Sequence, residues 1–246
     1  MQAAATLRVA GENVTGVIIG VMKHIGIAAC SAEGAALCYR TICTEGAELL
    51  GAAHAHPEVS MHTPSLARTM DLIYKGDWQG VGEVMLDSAT KLAGMGADFL
   101  ICPDNTIHQA LPYVVPRSPR PWLHIAEVVA AEAKARGYQR VGLTGTRWLM
   151  EGPVYAKELV RPEAGERDEI NRIIMDELVC GEFNPSAVEY FRRVMEKMMR
   201  AGCDAVVLGC TEIPLLMNDA NSPLPTLDST RLLARAALRR ALRNGA

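Results

Sequence analysis

A chain of 246 residues with 49% hydrophobic and 22% charged residues is long enough to bury a substantial core, as one large domain or two half-size ones. A formal net charge of -3 offers no basic field to a polyanion, and 5% aromatic content leaves few platforms for stacking bases, which sets nucleic-acid binding aside. The seven cysteines are an odd number with no C-x-x-C pair, a pattern of free thiols in a reducing compartment, so a cytoplasmic location is expected.

In chain order, the first stretch has an apolar patch from Val14 to Met22, preceded by Glu12 and Asn13 and too short to cross a bilayer. Residues 1–22 are read as a disordered extension, with Met22 as an alternative beginning, and no membrane association is expected. From Lys23 onward, apolar runs alternate with helical periodicities. Strands are predicted at His24–Ala29, Glu58–Met61, Asp98–Cys102, Trp122–Ile125, Arg140–Thr144, Asp204–Leu208 and Leu224–Leu227. Helices are predicted at Glu33–Leu50, Trp78–Met95, Glu127–Arg136, Asp168–Leu178, Ser186–Arg200 and Ser229–Arg243. Such alternation implies an α/β fold of mostly parallel sheets covered by helices on both faces.

The two halves of the chain resemble each other. GADFLICPDNT from Gly96 aligns without gaps on GCDAVVLGCTE from Gly202, an offset of 106 that places Asp98 on Asp204 and Asp104 on Cys210. Nearer the start of each half, IGIAACSAEGAALCYRTI aligns with VGLTGTRWLMEGPVYAKEL at an offset of 116, placing Gly26 on Gly142 and Tyr39 on Tyr155. The difference is a ten-residue shortening, and it falls where VSMH, the second strand of the first half, should find its counterpart. Two pseudo-symmetric lobes follow: residues 23–119 with 221–246 packing back on them, and residues 120–220. Ligands of open α/β sheets bind beyond the carboxyl ends of the strands, so the two strand ends should line one interlobe cleft from opposite sides.

A pair of acid/base groups on opposite faces of a small substrate is what inversion at carbon needs. Cys210 stands at such a strand end, where a following helix start would offer N–H groups to a thiolate. GCTEIPLL at 209–216, DNTIH at 104–108, the stretch from Ile25 to Ile42, ERDEINRIIMDEL at 166–178 and LDST at 227–230 together resemble the aspartate/glutamate racemase superfamily. That resemblance implies a cofactor-independent two-base racemase of a small acidic or polar amino acid, an isomerase with an interlobe site, and is compatible with a homodimer. It implies Cys210 as the second-lobe catalytic thiol and Asn105, Thr106 and Thr211 as ligands of the substrate carboxylate. It also implies Ser31 as a substrate contact, and His108 and Glu212 as polar neighbours that tune the pair.

The first catalytic position departs from the pattern, for Asp104 stands where members of this superfamily carry Cys or Thr. With reference pKa values of about 3.9 and 8.5, a neutral Asp104 beside a Cys210 thiolate costs about 6 kcal/mol. Three readings stay open at position 104: Asp104 as the acid/base group, Cys102 as the working thiol, or neither. The one-thiol site leaves two alternatives to racemisation: a decarboxylase or cis/trans isomerase of a dicarboxylate, and a protein that binds a carboxylate without turning it over.

Ordinary roles account for other notable residues. Cys30, Cys38, Cys43, Cys180 and Cys203 are read as packing residues. His54, His56 and His62 lack a motif that would gather them at a metal, and no metal or cofactor is expected. Thr211 and Glu212 also suit the cap of a helix, and Arg167 and Arg172 a solvated helix face.

Overall fold

The computed structural model describes residues 22–242; the expected N-terminal extension, Met22 apart, lies outside the described residues. Among the described residues, six strands form two parallel three-stranded sheets. In the first half run β1 (Ile25–Ala28), α1 (Ala32–Leu50), β2 (Val59–His62), α2 (Leu66–Tyr74), α3 (Trp78–Gly94), β3 (Phe99–Ile101), the short α4 (Leu111–Val114) and α5 (Ile125–Ala135). The second half adds β4 (Val141–Thr144), α6 (Arg147–Glu151), α7 (Ala164–Arg172), α8 (Pro185–Arg200), β5 (Ala205–Leu208), α9 (Ile213–Leu216), β6 (Thr226–Asp228) and α10 (Ser229–Leu242).

Strands covered on both faces read as continuous apolar runs, and the IGIA of β1 and AVVL of β5 are buried at every position. In the first sheet, Ile25, Ile27, Phe99 and Ile101 pack against Leu233, Ala234 and Ala237 of α10. In the second, Val206 and Leu208 face Phe191, Val194 and Met198 of α8, while Ala205 and Val207 face α5 through Ala126 and Val129. The C-terminal segment serves both sheets: β6 pairs with β5, and α10 lies against α1 and α5.

The internal repeat is visible atom by atom. Ile25 pairs with Phe99 and Gly26 with Leu100; Val141 pairs with Ala205 and Gly142 with Val206, the register required by both offsets. Asp98 accepts the backbone N–H of His24 at 2.8 Å, and Asp204 accepts that of Arg140 at 3.1 Å. The same carboxylate thus anchors the entry of the first strand in each sheet.

The shortening has a structural meaning. The 19 residues of α1 shrink to the five of α6, and the counterpart of β2 is reduced to one bridge between Val160 and Gly142. The strand predicted at Trp122–Ile125 is corrected likewise, to a single bridge between Trp122 and Leu100. There His124 already caps α5, its ring nitrogen accepting the N–H of Ala126 at 3.2 Å, so Ile125 enters the core as a helical residue. The helix predicted from Asp168 starts earlier, at Ala164, behind a Glu163/Glu166 capping box, and widens to a π turn over Ile173–Glu177. Sequence periodicity also missed α2, whose nine residues pack against α3.

Candidate active site

Ser31 caps α1, accepting the N–H of Gly34 at 3.4 Å, and holds the turn that follows β1. Across the lobe boundary its hydroxyl meets Thr211 Oγ1 at 3.1 Å. Gly34 is required there, because a Cβ at this position would lie 2.3 Å from Thr211 Cβ. A second link of the same kind joins Thr106 Oγ1 to Thr146 Oγ1 at 2.8 Å. Asn105 supplies a third, accepting from Tyr155 Oη and donating to Ser229 Oγ, both at 2.8 Å.

Between these links lies a cavity of about 40 Å³. Its polar wall consists of Cys30, Ser31, Asp104 and Thr106 from the first lobe and Thr146, Cys210 and Glu212 from the second. Its apolar wall comprises Leu66, Met70 and Ile73 of α2, with Trp148, Ile174, Met175 and Val179. This volume holds a few waters, whereas ligand sites for small molecules run to hundreds of Å³, so entry of a substrate requires the apolar wall to give. A larger open groove of about 720 Å³ lies between α5 and the segment 154–159. Half of its lining residues are alanine or valine and none carries a thiol, whereas Asp104 and Cys210 line the smaller cavity.

Asp104 and Cys210 therefore face one space. The Asp104 carboxylate accepts the N–H of Ile107 at 3.1 Å, which fixes the turn after β3. Burial pushes its pKa up to about 6 against the hydrogen bond it receives from Ile107, with the Glu212 charge adding to the rise. Cys210 donates to Glu212 Oε2 at 2.9 Å. Burial, and then the Glu212 carboxylate, raise its pKa well above the ordinary thiol value. The expected stabilisation of a Cys210 thiolate by helix N–H groups is thus reversed in the closed cavity, and the mismatch between positions 104 and 210 is not removed.

Among the other residues singled out from sequence, Ser31, Thr106 and Glu212 line the cavity. Glu212 Oε1 is buried without a hydrogen-bond partner among the described residues, while Oε2 also accepts from Thr211 at 2.7 Å. The side chains of Asn105 and Thr211 are held by the interlobe links instead. His108 sits behind the wall, donating from Nε2 to the Cys102 carbonyl at 3.0 Å, and burial together with His124 lowers its pKa to about 3. Cys102 is buried against α3 and turns its sulfur toward the backbone carbonyl of Asp104, at 3.9 Å, away from the cavity. The packing role assigned to Cys30 is incomplete, since the residue is part of the cavity wall. A signal for it existed: the offset of 116 sets Cys30 on Thr146, the strand-end position of the other lobe. His56 bonds Pro57 and His62 bonds Ser88, and among the described residues no group of three or more His, Cys, Asp or Glu converges for a metal. No described helix is long and apolar enough to cross a membrane.

Comparison with known proteins supplies a context for this geometry. The sequence profile described as Asp/Glu/hydantoin racemase matches residues 29–237. The chain is similar to the broad specificity amino-acid racemase RacX of Bacillus subtilis (strain 168), with 23% identity over 167 residues covering 66% of this chain and 73% of that protein. In three dimensions it resembles a Yersinia pestis structure provisionally assigned as an Asp/Glu racemase, with a TM-score of 0.81 and 31% identity, covering 90% of this chain and 100% of the other. It also resembles an aspartate racemase homologue from Pyrococcus horikoshii OT3, with a TM-score of 0.76, 26% identity and coverage of 90% and 100%.

Proposed function

Because this chain belongs to the Asp/Glu/hydantoin racemase family, we propose that it inverts the α-carbon of a free amino acid by removing a proton on one face and delivering one on the other. The observation that carries this reading is the shared cavity, with Asp104 at the strand end of the first lobe and Cys210 at that of the second. Asp104 drives proton transfer on the first-lobe side, and Cys210, backed by Glu212, performs it on the other. The hydroxyls of Ser31, Thr106 and Thr146 suit the substrate carboxylate, and the free Oε1 of Glu212 suits its ammonium group. No cofactor is needed for this chemistry.

The wall also bears on the side chain of the substrate. It contains two carboxyl groups and no Lys, Arg or His. An acidic side chain would add another negative charge without a partner, at the cost that attends any buried unpaired ion. Of the acidic or polar amino acids implied by the resemblance, the uncharged ones therefore suit the cavity, and its apolar wall extends the class to side chains such as those of leucine and methionine.

Incubation of the purified protein with single enantiomers in D₂O, followed by chiral chromatography and mass spectrometry, tests both points. Inversion with α-deuterium incorporation, fastest for uncharged side chains, is expected. Absence of both over a broad panel removes the racemase reading. Aspartate or glutamate as the fastest substrate overturns the substrate class, and CO₂ release from a substituted malonate without inversion of any amino acid replaces the reaction.

A further inference from the structure

Resting on the racemase reading, we infer that the first-lobe proton is carried by the thiol of Cys30, with Asp104 as the base that takes and returns it, so that each lobe presents a thiol and a carboxyl group to the α-carbon.

Register places these two side chains together. β1 and β3 pair Ile25 with Phe99 and Ile27 with Ile101. Continued three residues past the last pair, the same register sets Cys30 level with Asp104 at the top of the sheet. In the second sheet Thr144 pairs with Leu208, and continuation sets Thr146 level with Cys210. All four residues line the cavity. Cys30 and Asp104 thereby share one stretch of the cavity wall, as Cys210 and Glu212 share another, where the Cys210 thiol donates to Glu212 at 2.9 Å.

The chemistry favours matched groups. A racemase works from either enantiomer, and each direction begins in the protonation state that the other leaves behind. A carboxyl group opposite a thiol makes one of those states much rarer than its mirror image. Two thiols, each beside a carboxyl group, remove the imbalance when the proton that distinguishes the two states rests on Asp104 or on Glu212. In one direction the Asp104 carboxylate takes the Cys30 proton, and the resulting thiolate takes the α-proton as the C–H electron pair passes to the carbanion. The Cys210 thiol then protonates the opposite face. The Glu212 carboxyl returns a proton to Cys210, leaving Asp104 protonated and Glu212 ionised, the starting state for the reverse direction, or one that solvent resets after release. Cys102 is not an alternative donor, since its sulfur faces away from this space.

The ionisable groups facing Cys30 are Asp104, Cys210 and Glu212 across the cavity and Cys102 behind the strand end, while His108 stays neutral. Because an alanine could loosen the turn, the test uses both Cys30→Ala and the near-isosteric Cys30→Ser, with thermal melting as the control for folding. Each variant, and Cys210→Ala, is assayed in D₂O for α-deuterium exchange and inversion from each enantiomer. Both Cys30 variants should lose inversion by on the order of 10²–10⁴-fold, retaining slow exchange from one enantiomer only, and Cys210→Ala should retain exchange from the opposite one. Asp104→Asn should keep the Cys30-side exchange but move its pH profile upward, because the thiol must then ionise without its base. If Cys30→Ser melts like the wild type and inverts within about tenfold of it, the inference is wrong and Asp104 itself exchanges the proton. A wild-type protein that inverts no substrate refutes the racemase reading instead, and the two failures are thereby separable.

Discussion

The two lobes carry the same kinds of reactive group on different strand ends. In the second, the thiol of Cys210 and the carboxyl of Glu212 stand two residues apart on one turn; in the first, Cys30 follows β1 and Asp104 follows β3, 74 residues later. The sheets differ in the same spirit. The first has a full strand in β2 and a single bridge at Trp122, whereas the second has a single bridge at Val160 and a full strand in β6. A repeated fold therefore preserves register and strand-end geometry while the local sequence redistributes chemistry among equivalent positions. What the cavity requires is the set of groups it receives, not the strand that brings each one.

The sharpest way to break this comparison is Cys210→Ala, expected to lower kcat/KM for inversion by about 10³-fold or more in both directions, because no nearby group of the second lobe replaces the sulfur. Chiral chromatography from each pure enantiomer measures it. A residual rate within tenfold of the wild type, the factor set by about 1.4 kcal/mol, would place the chemistry elsewhere. Gly34→Ala probes the packing of the lobes: its Cβ would fall 2.3 Å from Thr211 Cβ, and the position equivalent by repeat is Met150, so only the first lobe makes this approach. The expected loss is up to about 3 kcal/mol in urea unfolding, partly restored by Thr211→Gly.

Asp104→Asn separates stability from activity. The folded-state pKa of Asp104 is raised to about 6 from 3.8, so protonation favours the folded protein; its contribution to stability is full below the lower value and lost as pH rises through the higher one. After allowance for water in the cavity, the variant should be more stable than the wild type by about 2 kcal/mol above pH 7, the difference fading toward pH 4. Unfolding midpoints across that window give the result, and a pH-independent difference would show that the carboxylate is not held at a cost. Ser31→Ala should have the smallest effect, about 1 kcal/mol, from loss of its bond to Thr211 and its cap on α1. A double-mutant cycle with Thr211→Val isolates the interlobe share.

Much of this molecule was legible before any coordinates. Strand ends recur at the offsets read from the repeat, and Asp98 and Asp204 prove to be the same anchor twice. Apolar runs show strands well when both faces are buried, as in β1 and β5. They failed at Trp122–Ile125, where a helix cap took the backbone groups that a strand would have used. Helix α2 escaped notice because its nine residues give only about two and a half turns of periodicity, and it supplies three residues of the apolar wall.

The candidate site divides in the same way. Asp104, Cys210, Ser31, Thr106 and Glu212 could be picked out because motif and repeat both mark turns after strands, and local sequence determines such turns. Whether Asn105 and Thr211 face a substrate or fasten the lobes could not be read there, since their partners Tyr155, Ser229 and Ser31 are 50 to 180 residues away. Cys30 is the clearest case. By itself it is a small residue at the end of a buried strand, suited to packing, and the repeat marks it only as the counterpart of Thr146. Only the pairing of β1 with β3 decided that Cys30 lines the same cavity as Asp104, because the register of parallel strands is settled by their burial together and not by either segment alone.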